Sequence, residues 1–195
     1  MKLLKQSSIK FADFFENTML EIITQHLPPF AWNAFWISQI LVFVAMITDI
    51  ISWQCKKREI ILVWLAISTL LIGTHFILLE AYVGAVMIYI ATIRFITSIF
   101  STNPRLVWLY HLLVLVGGFF TIKSGMGIIA LVANLVFNYA SFRPTDKRLR
   151  QWMMLGTSIW IVYNILIFTP MGIFIETVFL LSNVVGYYRY YIRKT

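Results

Sequence analysis

The chain is 195 residues long, 60% of it hydrophobic and only 12% charged, well above the roughly 45–50% apolar content of soluble domains. That composition excludes a soluble globular enzyme, a disordered tail and, with Cys55 as the single cysteine, a secreted disulfide scaffold. The formal net charge of +8 belongs with Lys and Arg gathered beside membrane spans, because no basic run is interleaved with aromatics on a water-facing surface.

Residues 1–28 are expected to form an amphipathic helix lying in the membrane interface. Phe11, Phe15, Met19, Ile22 and Ile23 share one face, with Asp13, Glu16, Asn17 and Glu21 mostly elsewhere. The acids interrupt any signal-peptide core, and the pair Pro28-Pro29 ends the helix. Residues 29–195 then read as one transmembrane domain of seven apolar segments, near 30–53, 59–79, 81–100, 105–122, 126–142, 151–169 and 171–191. Most approach the ~20 residues a helix needs to cross the hydrocarbon core, and backbone polar groups in lipid force these segments to be helical. The separators, among them Lys56–Arg58, the Glu80-Ala81 corner and Arg143–Arg150, are too short to hold an extramembrane domain. Eleven Lys and Arg fall on the side of the first, third and fifth connections and the C-terminus, against four on the other side. This bias predicts a cytoplasmic C-terminus and an N-terminus outside.

A shift of 88 residues lays Trp64 on Trp152, Ile77 on Ile165, Leu78 on Leu166 and Gly84 on Gly172. The two glycines follow the same tight corner in each half. Units 30–100 and 126–191 therefore point the same way across a linker helix at 105–122, a parallel repeat. The predicted fold class is all-α: a polytopic membrane protein with seven transmembrane helices as two parallel three-helix repeats joined by a linker helix, plus the N-terminal amphipathic helix.

The three-plus-one-plus-three arrangement, with WIVYNILIFTPMG at 160–172, resembles sugar transporters of the SWEET class and their PQ-loop and vitamin-uptake relatives. A closer resemblance covers nearly all of residues 37–190. GTHFILLEAYVGA (73–85), the Ile-Arg of ATIRFITS (91–98), WIVYN (160–164) and IETVFLLSN (175–183) look like the YgjV-type bacterial inner-membrane protein family. The resemblance implies an inner-membrane location and a multi-helix fold, and supplies no substrate. The chain departs from that pattern in its long N-terminal segment and in carrying Glu80 where a glycine would be usual.

Ionisable groups inside spans cost about 3 kcal/mol for an Arg or Asp near the centre on insertion scales, so each needs a reason. Arg94 reads either as an anion site facing a polar cleft or as a side chain snorkelling to the surface. Glu176 and Asn183 lie seven residues apart on the last segment, and with Asn164 they would line one polar stripe. Asn138 shares a face with Asn134 on the fifth segment, and each asparagine serves equally well as helix–helix glue. The expected substrate site is Asn164, Asn183, Glu176, Arg94 and Asn138, with His75 and Glu176 as candidate proton carriers. Asp49 is read as an interfacial ion-pair partner of Lys56 and Lys57.

His75 and His111 differ in depth by roughly 15 Å at 1.5 Å per residue, which excludes a haem between them. There is no metal-ligand spacing, Walker loop or dinucleotide fingerprint, and Ser124 in KSGMG lacks the strand–turn–helix setting of a nucleophile elbow. No catalytic residue, cofactor or metal is expected. Two functions fit: a small-polar-solute transporter or facilitator with a midplane site between two three-helix bundles, or a non-transporting scaffold that holds a partner through residues 1–28 or its basic face. The expected partners are the lipid bilayer, a small polar solute and a second copy of the chain, with no nucleic acid.

Overall fold

The computed structural model describes residues 29–121, 125–166, 168 and 170–193. The predicted N-terminal amphipathic helix lies outside the described residues. Those residues form seven α-helices: α1 (Pro29–Gln54), α2 (Arg58–Leu78), α3 (Tyr82–Phe100), α4 (Pro104–Thr121), α5 (Gly125–Ser141), α6 (Asp146–Leu166) and α7 (Pro170–Tyr187). A short π-helical turn, Tyr188–Ile192, continues α7.

Local chemistry sets the boundaries. Asn103 caps α4 by accepting the Arg105 amide at 2.9 Å, and Pro104 takes the first helical position, where its missing N–H costs nothing. The start of α6 corrects the sequence expectation. The sequence pattern places residues 146–150 in a loop, but Thr145 Oγ1 accepts the Arg148 amide and Asp146 sits in the first turn. These are N-terminal signals that favour an earlier start. The consequence is that Arg150 is carried into the helix and is fully buried.

The corner between α2 and α3 turns on Glu80, which sits at φ 57, and its amide bonds the Ile77 carbonyl at 2.9 Å. Glycine would adopt that left-handed backbone without a Cβ clash. Between α6 and α7, Phe168 sits at φ 59 with its amide on the Ile165 carbonyl. The two corner residues are 88 positions apart. The same offset separates the starts of α2 and α6, their ends, and the starts of α3 and α7.

Packing closes the helices into a ring. α2 packs against both α1 and α3, and α6 packs against both α5 and α7. α7 then meets α1, α3 meets α5, and α4 rests mainly on α5. A buried cluster of Trp53, Ile61, Leu62, Leu65, Phe95, Leu149 and Met153 fills the ring toward its Lys- and Arg-rich end. The outer surface is apolar on every helix: Phe43, Ile67, Val86, Leu112, Ile128, Val162 and Leu181 all stand exposed. In water such a girdle would aggregate; in lipid it is the expected exterior. α1 from Asn33 and α2 are each long and apolar enough to cross a membrane, and apolar stretches of α3, α4 and α5 are shorter.

Candidate functional site

Two buried arginines close the basic end. Arg58, at the start of α2, donates from Nε to the Arg143 carbonyl at 2.6 Å, and from Nη2 to the carbonyls of Ser98 and Ser141, both at 2.8 Å. It thereby gathers the C-terminal ends of α3 and α5. Arg150, on α6, donates from Nη1 to the Trp53 carbonyl at 2.8 Å and from Nη2 to the Cys55 carbonyl, gathering the end of α1. Helix C-termini carry unsatisfied carbonyls and partial negative charge, so a guanidinium there meets both needs at once. The Arg150 guanidinium also stacks near the rings of Trp53 and Tyr190. Tyr190 donates to the Gln54 carbonyl at 2.5 Å. By sequence both arginines belong to the basic connections; the structure places them inside the bundle at 5% and 0% exposure.

Above this layer lies a cavity of about 480 Å³. All seven helices contribute to its lining: Asp49 from α1, Ser68, Thr69 and Phe76 from α2, Met87 and Arg94 from α3, Val114 from α4, Asn134 and Asn138 from α5, Trp160 from α6, and Glu176 and Phe179 from α7. Leu65, Ile72, Ile88, Phe95, Phe137 and Ile175 complete a wall that is mostly hydrocarbon and aromatic, the usual character of a small-molecule site. Arg94 donates from Nη1 to Asn138 Oδ1, and Asn138 Nδ2 donates to the Tyr110 carbonyl at 2.9 Å. This chain of bonds joins α3, α5 and α4 on one side of the cavity. On the other side, Asp49 and Glu176 stand close enough to interact electrostatically, and Asp49 also faces Ser68.

The cavity brings together Glu176, Arg94 and Asn138 from the predicted site. Asn183, Asn164 and His75 are placed elsewhere. Asn183 donates to the Arg150 carbonyl at 3.0 Å and so fastens α7 to α6. Asn164 donates to the Trp160 carbonyl one turn back on its own helix. His75 Nδ1 bonds the Ser38 carbonyl at 3.1 Å, joining α2 to α1. Asp49 is the residue sequence reasoning missed. It lines the cavity and forms no ion pair with Lys56 or Lys57 among the described residues. The available signal was its spacing from Ala45 and Ser52, four before and three after. Small residues at that spacing mark the face a helix turns toward its neighbours.

An all-α bundle with an apolar exterior, which turns Arg94, Asp49 and Glu176 inward from its spans and keeps charges such as Lys56, Lys57 and Arg148 at its end, is an integral membrane protein. The chain belongs to the Imp-YgjV family of bacterial inner membrane proteins, whose family model matches residues 36–194. It is 24% identical over 162 residues to Inner membrane protein YgjV of Escherichia coli (strain K12), covering 82% of this chain and 87% of that protein. No solved structure matches the chain.

Proposed function

We propose that this inner-membrane protein is a small-polar-solute transporter or facilitator. Its two parallel three-helix units, α1–α3 and α5–α7, would rock about the cavity and expose it to each side in turn. The observation that carries this reading is the cavity itself: helices of both units supply its polar groups, as alternating access requires. The repeat is supported by the shared 88-residue offset of helix bounds and of the two left-handed corner residues. It is supported too by the way α1 meets α7 as α5 meets α3. The site residues on this reading are Glu176, Arg94 and Asn138, joined by Asp49, Ser68 and Asn134. The arginine layer forms the closed gate at the basic end, which faces the cytoplasm by the Lys and Arg bias.

The test is uptake into proteoliposomes of a radiolabelled panel of amino acids, sugars, nucleosides and thiamine. At least one solute should accumulate faster than in empty liposomes, and Glu176→Gln together with Asn138→Ala should abolish the difference. A solute at about 100 times its dissociation constant should also stabilise the protein by roughly 2.7 kcal/mol. Flux at the level of empty liposomes for the whole panel refutes transport and leaves the partner-binding scaffold as the reading to pursue.

A further inference from the structure

The ionisable side chains around the cavity form two poles. Asp49 on α1 and Glu176 on α7 belong to the side where those helices meet, and Arg94 on α3 belongs to the side where α3 meets α5. Asp49 lies four residues before Trp53, and Arg94 four before Ser98, the residues whose carbonyls the two arginine clamps hold. Both therefore stand about one helical turn above the closed end. Glu176 lies ten residues before Gly186, whose Cα is packed against the Trp53 carbonyl, which sets it roughly 9 Å farther from the closed end than Asp49 at 1.5 Å per residue.

None of the three ionisable side chains finds an ion-pair partner among the described residues. Arg94 is 4% exposed and commits only Nη1, to Asn138, while its Nε has no hydrogen-bond partner. The Ser68 hydroxyl, 1% exposed at the cavity edge, faces Asp49. Buried charge is costly unless paired, and here the acidic and basic groups stand on opposite sides of the cavity, where a ligand carrying both charges would pair them.

We propose that the cavity binds a zwitterion with an apolar body, the chemistry of a monoamino monocarboxylic acid bearing a hydrophobic side chain. Its carboxylate sits on the Arg94 guanidinium and its ammonium between Asp49 and Glu176, while Phe76, Trp160 and Phe179 hold the apolar part. The assignment rests on the reading of this cavity as the solute site. An organic cation would leave Arg94 unpaired and face its repulsion; a simple anion would do the same to the two carboxyl groups. A sugar carries no charge to pair with Arg94 or with the two carboxyl groups.

The experiment is binding of tritiated L-phenylalanine to the full-length protein in nanodiscs, with unlabelled competitors. L-leucine should compete. Phenethylamine, which lacks the carboxylate, and 3-phenylpropionate, which lacks the ammonium, should each bind at least tenfold more weakly than phenylalanine. Arg94→Gln should weaken phenylalanine more than tenfold without weakening phenethylamine, and Glu176→Gln should weaken phenylalanine without weakening 3-phenylpropionate. The analogue series uses the unaltered protein, so it decides the matter even where a variant fails to fold. Phenethylamine competing as well as phenylalanine, displacement by glucose, or no phenylalanine binding overturns the assignment. Sugar or amine flux without phenylalanine binding removes the zwitterion and leaves transport standing. Phenylalanine binding without flux of any solute keeps the zwitterion and removes transport.

Discussion

Arg150→Met tests the arginine layer most directly, because the substitution keeps an unbranched side chain and removes only the guanidinium. Wild-type Arg150 is completely buried and supplies donors to the carbonyls of Trp53 and Cys55. Hydrogen bonds from a charged donor contribute about 1.5–3 kcal/mol each, which gives a gross loss of roughly 3–6 kcal/mol. Relief of the guanidinium's desolvation offsets part of that. A net destabilisation of about 3 kcal/mol is expected in equilibrium unfolding in mixed micelles. Arg148→Met, at an exposed position two residues away, is the control and should change stability by less than about 0.5 kcal/mol. Arg150→Lys should fall between them, since one ammonium cannot reproduce the forked geometry that reaches two carbonyls. An Arg150→Met protein as stable as the Arg148→Met control would refute the idea that this side chain ties α6 to the end of α1.

Gly186→Ala should be similarly damaging. Its Cβ would collide with the Trp53 carbonyl and crowd Arg150 Nη1 at 2.5 Å, so a loss of about 2–3 kcal/mol and a smaller monodisperse fraction on size exclusion are expected. Glu80→Gly should act in the opposite sense, relieving the left-handed backbone at φ 57 and raising stability by about 0.5–1 kcal/mol; a lower unfolding midpoint would contradict this. Asn183→Ala should cost about 0.6–2 kcal/mol through the lost bond to the Arg150 carbonyl. Because Asn183 lies outside the cavity lining, solute binding per folded molecule should be unchanged in a titration of that variant.

Much of this protein was legible in its sequence because lipid imposes simple rules. Apolar runs of near-spanning length, broken by Lys56–Arg58 and the Glu80-Ala81 corner among others, located the helices to within a few residues of those observed, apart from the start of α6. The 88-residue offset was visible in Trp64, Gly84 and their counterparts before the corners at Glu80 and Phe168 showed the same spacing in the backbone. Polar residues inside spans marked the interior, and Arg94, Asn138 and Glu176 do line the cavity.

The tertiary structure alone decided which of those polar residues meet. In a helix that is apolar nearly all round, hydrophobic periodicity is too weak to tell the lipid face from the bundle face. Asn164 and Asn183 could not be separated from Glu176 by spacing. The closure of α7 onto α1 and of α3 onto α5 turns Asn183 toward α6 and brings Asp49 to the cavity. The same closure buries Arg58 and Arg150. By sequence both look like loop charges, because their partners are backbone carbonyls 40 to 97 residues away, which no side-chain pattern records.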